Sequence, residues 1–230
     1  MKKTLIYSLS LAVFLLVGCR DESLNPNKPW EPGVHGWGVF ANIAEGTTGG
    51  TAKPNIAANA INFPLTNQDA AKIDFKIRWV SLDNKLTVNK IDIKVDMIES
   101  YTDADGNPKT ASLGSGGKIV KSISPAAGNR EWSTFSITPA EIYNLYKDAT
   151  VKYDKVKDVK VFENPARPRP AGARLAGAIK GANADAFVVT WQLTTTDGLV
   201  FKTWNEDSIC LDPTPVSQAN ANCRLNFTVK

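Results

Sequence analysis

The sequence predicts an all-β chain, an antiparallel β-sandwich with one short helix, and three observations carry that expectation. "IDFKIRW" sets Ile73, Phe75, Ile77 and Trp79 on one face and Asp74, Lys76 and Arg78 on the other. "IDIKVDM" repeats the pattern, with Ile91, Ile93, Val95 and Met97 against Asp92, Lys94 and Asp96. Such strict alternation belongs to strands with one face in a core and the other in water, which is the habit of antiparallel sheets. Turn-forming residues recur between these and other short apolar runs, and a single segment carries a helical start signal followed by a helical stripe.

In chain order, the polar stretch 20–33 holds Pro26, Pro29 and Pro32 without an apolar period and reads as a tether. Strands are expected at 36–43, at the two alternating segments, and at 118–123, 134–137 and 156–162. Thr138-Pro139-Ala140-Glu141 combines an N-cap, a proline at the first helical position and a capping-box glutamate. Ile142, Leu145 and Tyr146 then fall at helical spacing, so a helix is expected from 139 to about 147. "FVVTWQLTTTDGLVFKTW" is a hairpin, because Asp197-Gly198 supplies a positive-φ turn between two β-prone runs. The last strand spans 224–229, with Leu225, Phe227 and Val229 in phase. "NPARPRPAGARLAGAIKGANAD" is rich in proline, glycine and alanine, but the remainder of the chain is too short for a second sandwich. It reads as a long loop with room for an edge strand at 174–179. The folded part is thus one immunoglobulin-like domain, 34–230.

Lys2 and Lys3 precede an apolar run, Leu5 to Val17, too short to span a membrane and of signal-peptide length. Leu16-Val17-Gly18-Cys19 resembles the bacterial lipobox, in which the thiol is acylated and the chain is cut just before it. Residues 1–18 are then a lipoprotein signal peptide, and Cys19 is the lipidated first residue of a membrane-anchored chain. Lys2 and Lys3 depart with that segment, which takes the formal charge from +4 to +2. With no basic block interleaved with aromatics, nothing marks a nucleic-acid partner. In an exported chain Cys210 and Cys223 are most simply a disulfide, two separate thiols being the alternative. A metal site is disfavoured, since the single histidine is distant in sequence and no Cys-x-x-Cys exists.

Candidate chemistry is sparse. His35 is the one histidine that could serve a Ser-His-Asp triad, and no nucleophile elbow accompanies it. A glycosidase needs a pair of carboxylates, and nothing singles one out among the 23 acidic residues. "LGSGGKIV" lacks the first glycine and the hydroxyl residue of a phosphate-binding loop and reads as a hairpin loop. "TDADGN" spaces Asp103, Asp105 and Asn107 like the start of a calcium loop but lacks the closing glutamate, and reads as a turn. No cofactor is expected. Of the six tryptophans, Trp79 and Trp191 are in phase with apolar neighbours and belong to the core. Trp30, Trp37, Trp132 and Trp204 lie in polar or glycine-rich surroundings, where an indole can offer a flat face to a sugar ring or a partner. Trp37, Trp132 and Trp204 are the ligand-binding candidates.

The order "IDFKIRW", "IDIKVDMIESY", "GGKIVKSI", "STFSITPAEIYNLY", "FVVTWQLTTTDGLVF" resembles the small accessory (SusE-type) lipoproteins of Bacteroidota that accompany nutrient-uptake pairs of the starch-utilisation type. Arg20-Asp21-Glu22 behind Cys19 also looks like the acidic tag that sends such lipoproteins to the outer face of the cell. The resemblance implies a non-enzymatic, surface-exposed, outer-membrane lipoprotein beside a TonB-dependent transporter and its lipoprotein lid, helping to capture a glycan or peptide. A scaffold subunit that contacts only proteins is the alternative, and a surface hydrolase the third class. The chain departs from the family at its C-terminal end, where Cys210 and Cys223 stand in place of a glycine- and aromatic-rich tail.

Overall fold

The alternating segments form the strands at the centre of each sheet. The computed structural model describes residues 33–41, 61–81, 83–165, 167, 169, 174–179, 182–202 and 224–230. Strand β2 (Ile73–Ser81) buries Ile73, Phe75, Ile77 and Trp79, leaving Asp74, Lys76 and Arg78 on the outer side. It lies between β1 (Val34–Phe40), which pairs from Val34 opposite Ser81 to Phe40 opposite Phe75, and β6 (Trp132–Ile137). These three antiparallel strands make the first sheet.

The second sheet is built on β3 (Val88–Thr102), paired along its length with β9 (Ala186–Thr195). Its outer margins are each divided between two short strands. β5 (Lys118–Ile123) covers the first half of β3 and β4 (Pro108–Ser112) the second, while β10 (Val200–Lys202) and β11 (Leu225–Thr228) share the far edge of β9. Bulges at Ile93/Lys94 and Val88/Lys90 let one long strand keep register with several shorter neighbours. The predicted hairpin is present, with Gly198 at φ +87° in the turn between β9 and β10.

The apolar faces of both sheets share one core. Phe75 stacks on Phe135 at 5.6 Å, and Phe63, Phe187 and Phe227 form a triad with centroids 5.1–5.9 Å apart. Trp79 and Trp191 are both 2% exposed, as their phase predicts. The Trp79 indole N–H donates to the Ala127 carbonyl at 2.7 Å. The described residues belong to one compact unit, Gly33–Lys230, an all-β antiparallel sandwich with a single α-helix among them. No helix among the described residues is long and apolar enough to cross a membrane.

That helix, α1 (Pro139–Tyr146), begins as predicted: Thr138 accepts from the Glu141 amide, and the Glu141 carboxylate accepts from the Thr138 amide. It buries Pro139, Ile142 and Tyr146 and is tied to the second sheet. The Tyr146 hydroxyl donates to the Val95 carbonyl at 2.5 Å, Lys118 donates to the Leu145 carbonyl at 2.8 Å, and Lys121 pairs with Glu141.

Several expected strand boundaries change. β1 and β6 each start two residues earlier than expected, at Val34 and at Trp132, and residues 42 and 43 lie outside the described set. Of 156–162 only β8 (Val159–Lys160) is extended, paired with β7 (Thr150–Val151) in a separate ribbon and followed by a 3-10 turn. The Asp154 carboxylate takes the amides of Val156 and Lys157 at 2.9 and 2.7 Å, which turns the chain where a strand would run. No edge strand forms at 174–179, where only Ile179 makes a bridge, to Ala182. Side chains replace the neighbouring strand there: Gln68 Oε1 accepts from the Arg174 and Leu175 amides, both at 2.9 Å, and Asp185 accepts from the Ala176 amide at 2.7 Å.

Candidate functional site

Trp132 opens β6 after a turn in which Arg130, at φ +70°, donates its amide to the Trp79 carbonyl at 2.9 Å. The β2–β6 register then sets Trp132 opposite Arg78, and Thr134 opposite Lys76. Trp132 is partly exposed on the outer face, its ring centroid 4.7 Å from the Lys76 ammonium and 4.9 Å from the Arg78 guanidinium. Cations so placed are held by the ring quadrupole, worth about 0.5–1 kcal/mol each at exposed sites. The β1–β2 register sets Trp37 opposite Arg78 from the other side, so the strand positions read Trp37, Arg78, Trp132 across the sheet. The Trp37 side chain, like Trp204, Cys19, Cys210 and Cys223, lies outside the described residues. The structure thus brings two of the three candidate tryptophans into one cross-strand row by register. It adds the two cations, which the alternation of "IDFKIRW" placed outside without saying what they would meet.

His35 stands opposite Val80 near the start of β1, and burial holds its imidazole below the ordinary value. The Asp103 carboxylate accepts from the amides of Asp105 and Asn107 at 3.0 and 2.8 Å, so "TDADGN" is the turn its residues suggest. The Asn107 amide is the foremost reason that the Asp103 carboxyl is held below the usual range. Among the described residues, no three His, Cys, Asp or Glu side chains are grouped to hold a metal ion.

A cleft of about 450 Å³ opens elsewhere, between β4, β5, the end of α1 and β7, lined by Ser112, Leu113, Lys118, Leu145, Asp148 and Val151 among others. It lacks an aromatic wall, and Lys118 is already engaged with the Leu145 carbonyl and lies over the Tyr146 ring at 4.7 Å. The row at Trp132, with its indole and its cations on one face, is the better-equipped site.

Sequence reasoning missed a buried ionic cluster. Glu99 and Asp185 are 0% exposed, and both arginines that answer them come from the proline-rich loop. Arg167 reaches Glu99 at 3.7 Å and Asp185 at 3.1 Å, Arg169 reaches Asp185 at 2.7 Å, and Tyr153 donates to Glu99 at 2.6 Å. Two acids and two cations compensate one another, as buried charges must. Burial raises the Glu99 pKa above its ordinary value despite the Tyr153 hydrogen bond and the Arg167 charge. The signal was available, because Glu99 continues the inward series Ile91, Ile93, Val95, Met97, and Asp185 precedes Phe187, Val189 and Trp191 in the same phase. With both carboxylates buried and the arginine side chains 3% and 7% exposed, the cluster ties Arg167 and Arg169 to the sheet.

No protein-family model matches the chain, and no curated protein matches it.

Proposed function

We propose that the chain is a lipid-anchored, surface-exposed accessory component of an outer-membrane nutrient-uptake complex, non-enzymatic, which captures a glycan or peptide on the outer face of its three-stranded sheet. The anchor is read from Leu16-Val17-Gly18-Cys19 and the surface address from Arg20-Asp21-Glu22. The partners are a TonB-dependent transporter and its lipoprotein lid, on the resemblance to the SusE-type lipoproteins. The observation that carries the binding role is Trp132, partly exposed on a rigid strand with Lys76 and Arg78 at its ring. Sites on strands hold a binding geometry better than sites on loops.

Isothermal titration of the full chain in detergent against glycan and peptide panels tests this. Heat with one ligand class is expected, weakened about tenfold or more in Trp132→Ala. No heat with any class, together with co-purification of a transporter pair, would move the chain to a scaffold role. That second reading draws on Leu199 and Val200, both 49% exposed at or beside the edge strand β10. Apolar side chains so placed suit a protein contact.

A further inference from the structure

We propose that residues 165–184, the proline-rich stretch ahead of β9, form a strap that opens as a unit while both sheets stay folded, and that the buried cluster of Glu99, Asp185, Arg167 and Arg169 is the lock that holds it shut.

The strap is bound to the sandwich by side chains rather than by a ladder. Among the described residues, one backbone–backbone bond joins it to the entry of a strand, from the Asp185 amide to the Ala176 carbonyl at 2.9 Å. Its other ties come from side chains, among them Gln68 on the Arg174 and Leu175 backbone, Asp69 on Arg174, and Arg167 Nη1, which donates to the Ser100 carbonyl at 2.9 Å. Of its described residues only Leu175 and Ala176 carry buried apolar side chains, whereas β3 alone buries Val88, Ile91, Ile93, Val95 and Met97. Local opening belongs where buried apolar contacts and ladder bonds are few. The strap is also closed on itself: Arg167 Nη2 donates to the Asn183 carbonyl at 2.5 Å, and Ile179 and Ala182 form a bridge. It therefore leaves as one piece.

The lock is incompletely bonded. Glu99 Oε1, Asp185 Oδ1, Arg167 Nε, and Arg169 Nε and Nη2 are buried and hydrogen-bond to no described residue. The four charges attract one another without the full set of hydrogen bonds that offsets their burial. Opening returns all four to water. It also turns an enclosed, compensated group into two bare carboxylates at the sheet and an arm that carries Arg167, Arg169, Arg174 and Lys180 with no acid between them.

Glu99 gives the lock its response to pH. It is faced by Tyr153 from the stretch between β7 and β8, by Arg167 and Arg169 from the strap, and by Asp185 just ahead of β9. The arginines stay charged, and burial holds the Tyr153 phenol above its ordinary value, so it stays neutral. Burial, with the Asp185 charge acting in the same direction, raises the Glu99 carboxyl against the Tyr153 hydrogen bond and the two arginines. Glu99 thus ionises more readily with the strap open than with it closed. Opening grows as pH rises from about 4.5 towards the raised folded value.

Hydrogen exchange of the full chain in detergent, read by mass spectrometry from pH 4.5 to 8 and corrected for intrinsic exchange rates, tests this. The amides of Arg174, Leu175 and Ala176 are expected to be about a hundredfold or more less protected than those of the β3–β9 ladder. They are expected to lose about threefold or more of that protection across the pH range. In Glu99→Gln the loss with pH should disappear, while the strap stays less protected than the ladder. Strap protection equal to that of the ladder would show that these residues open only with the whole fold, and would overturn the strap. Lower protection that is constant with pH in the wild type would overturn the lock. So would a wild-type slope retained in Glu99→Gln, since another group would then titrate on opening. The first two outcomes are read on the unaltered protein and do not depend on how the variant folds.

Discussion

Glu99 shows how much one position can contradict its pattern and still be required by it. Its place in β3 turns it inward, where a carboxylate is costly, and the fold answers with Tyr153 and Arg167. Burial outweighs both and raises its pKa above the ordinary 4.5. A raised acid holds its proton in the folded chain over a range in which the unfolded chain has lost it. Its favourable contribution is therefore full below about 4.5 and is lost as pH rises through the folded value. Glu99→Gln keeps the shape and an acceptor for the Tyr153 hydroxyl but removes the charge. Its thermal stability should fall less than the wild type's over the pH window that opens at about 4.5 and closes above the raised folded value. Melts in matched buffers check this, and parallel pH profiles for the two proteins would show that Glu99 does not titrate in that window.

At the scale of elements, the strands legible in the sequence are those whose hydrophobic period repeats for several residues, together with the capped helix and the Asp197-Gly198 hairpin. Two of the expected strands that failed, at 156–162 and 174–179, are decided by a side chain bonding a distant or local backbone, Asp154 on Val156 and Gln68 on Arg174 and Leu175. A period cannot report such bonds. β1 illustrates a further device that composition hides. Gly36 and Gly38 face the second sheet, and the Trp191 indole fills the space their missing side chains leave. A Cβ at residue 38 would stand 2.5 Å from Ile77 Cδ1 and 2.8 Å from the Trp191 ring. Gly38→Ala should therefore cost about 1–3 kcal/mol by overpacking, read from denaturant unfolding. Combined with Trp191→Leu, which empties the slot, the alanine should cost markedly less than it does alone. Strict additivity of the two changes would mean that the glycines and the indole are not coupled.

For the whole molecule, architecture was more legible than site, for a physical reason. Period and caps are local, whereas the meeting of Trp132 with Lys76 and Arg78 depends on strand register, which one sequence does not state. Trp132 was recognisable by its polar neighbours; its cations were in plain view on β2 but had no visible partner. Register thus supplies the face proposed to bind, and the lipobox expected at Leu16-Val17-Gly18-Cys19 the place proposed for its use. On that reading the face at Trp132 serves a transporter only while the chain is held at the membrane. One acyl chain gives marginal attachment and two or more a lasting one. Mass spectrometry of the mature N-terminus should therefore find Cys19 as the first residue, carrying its acyl groups, and Cys19→Ala should leave the membrane fraction. The substitution lies outside Gly33–Lys230, so ligand affinity in solution should be unchanged while cell-associated binding falls. An intact Met1, or an unmodified Cys19 as the dominant species, would remove the anchor and with it the reason to place this sheet face at the cell surface.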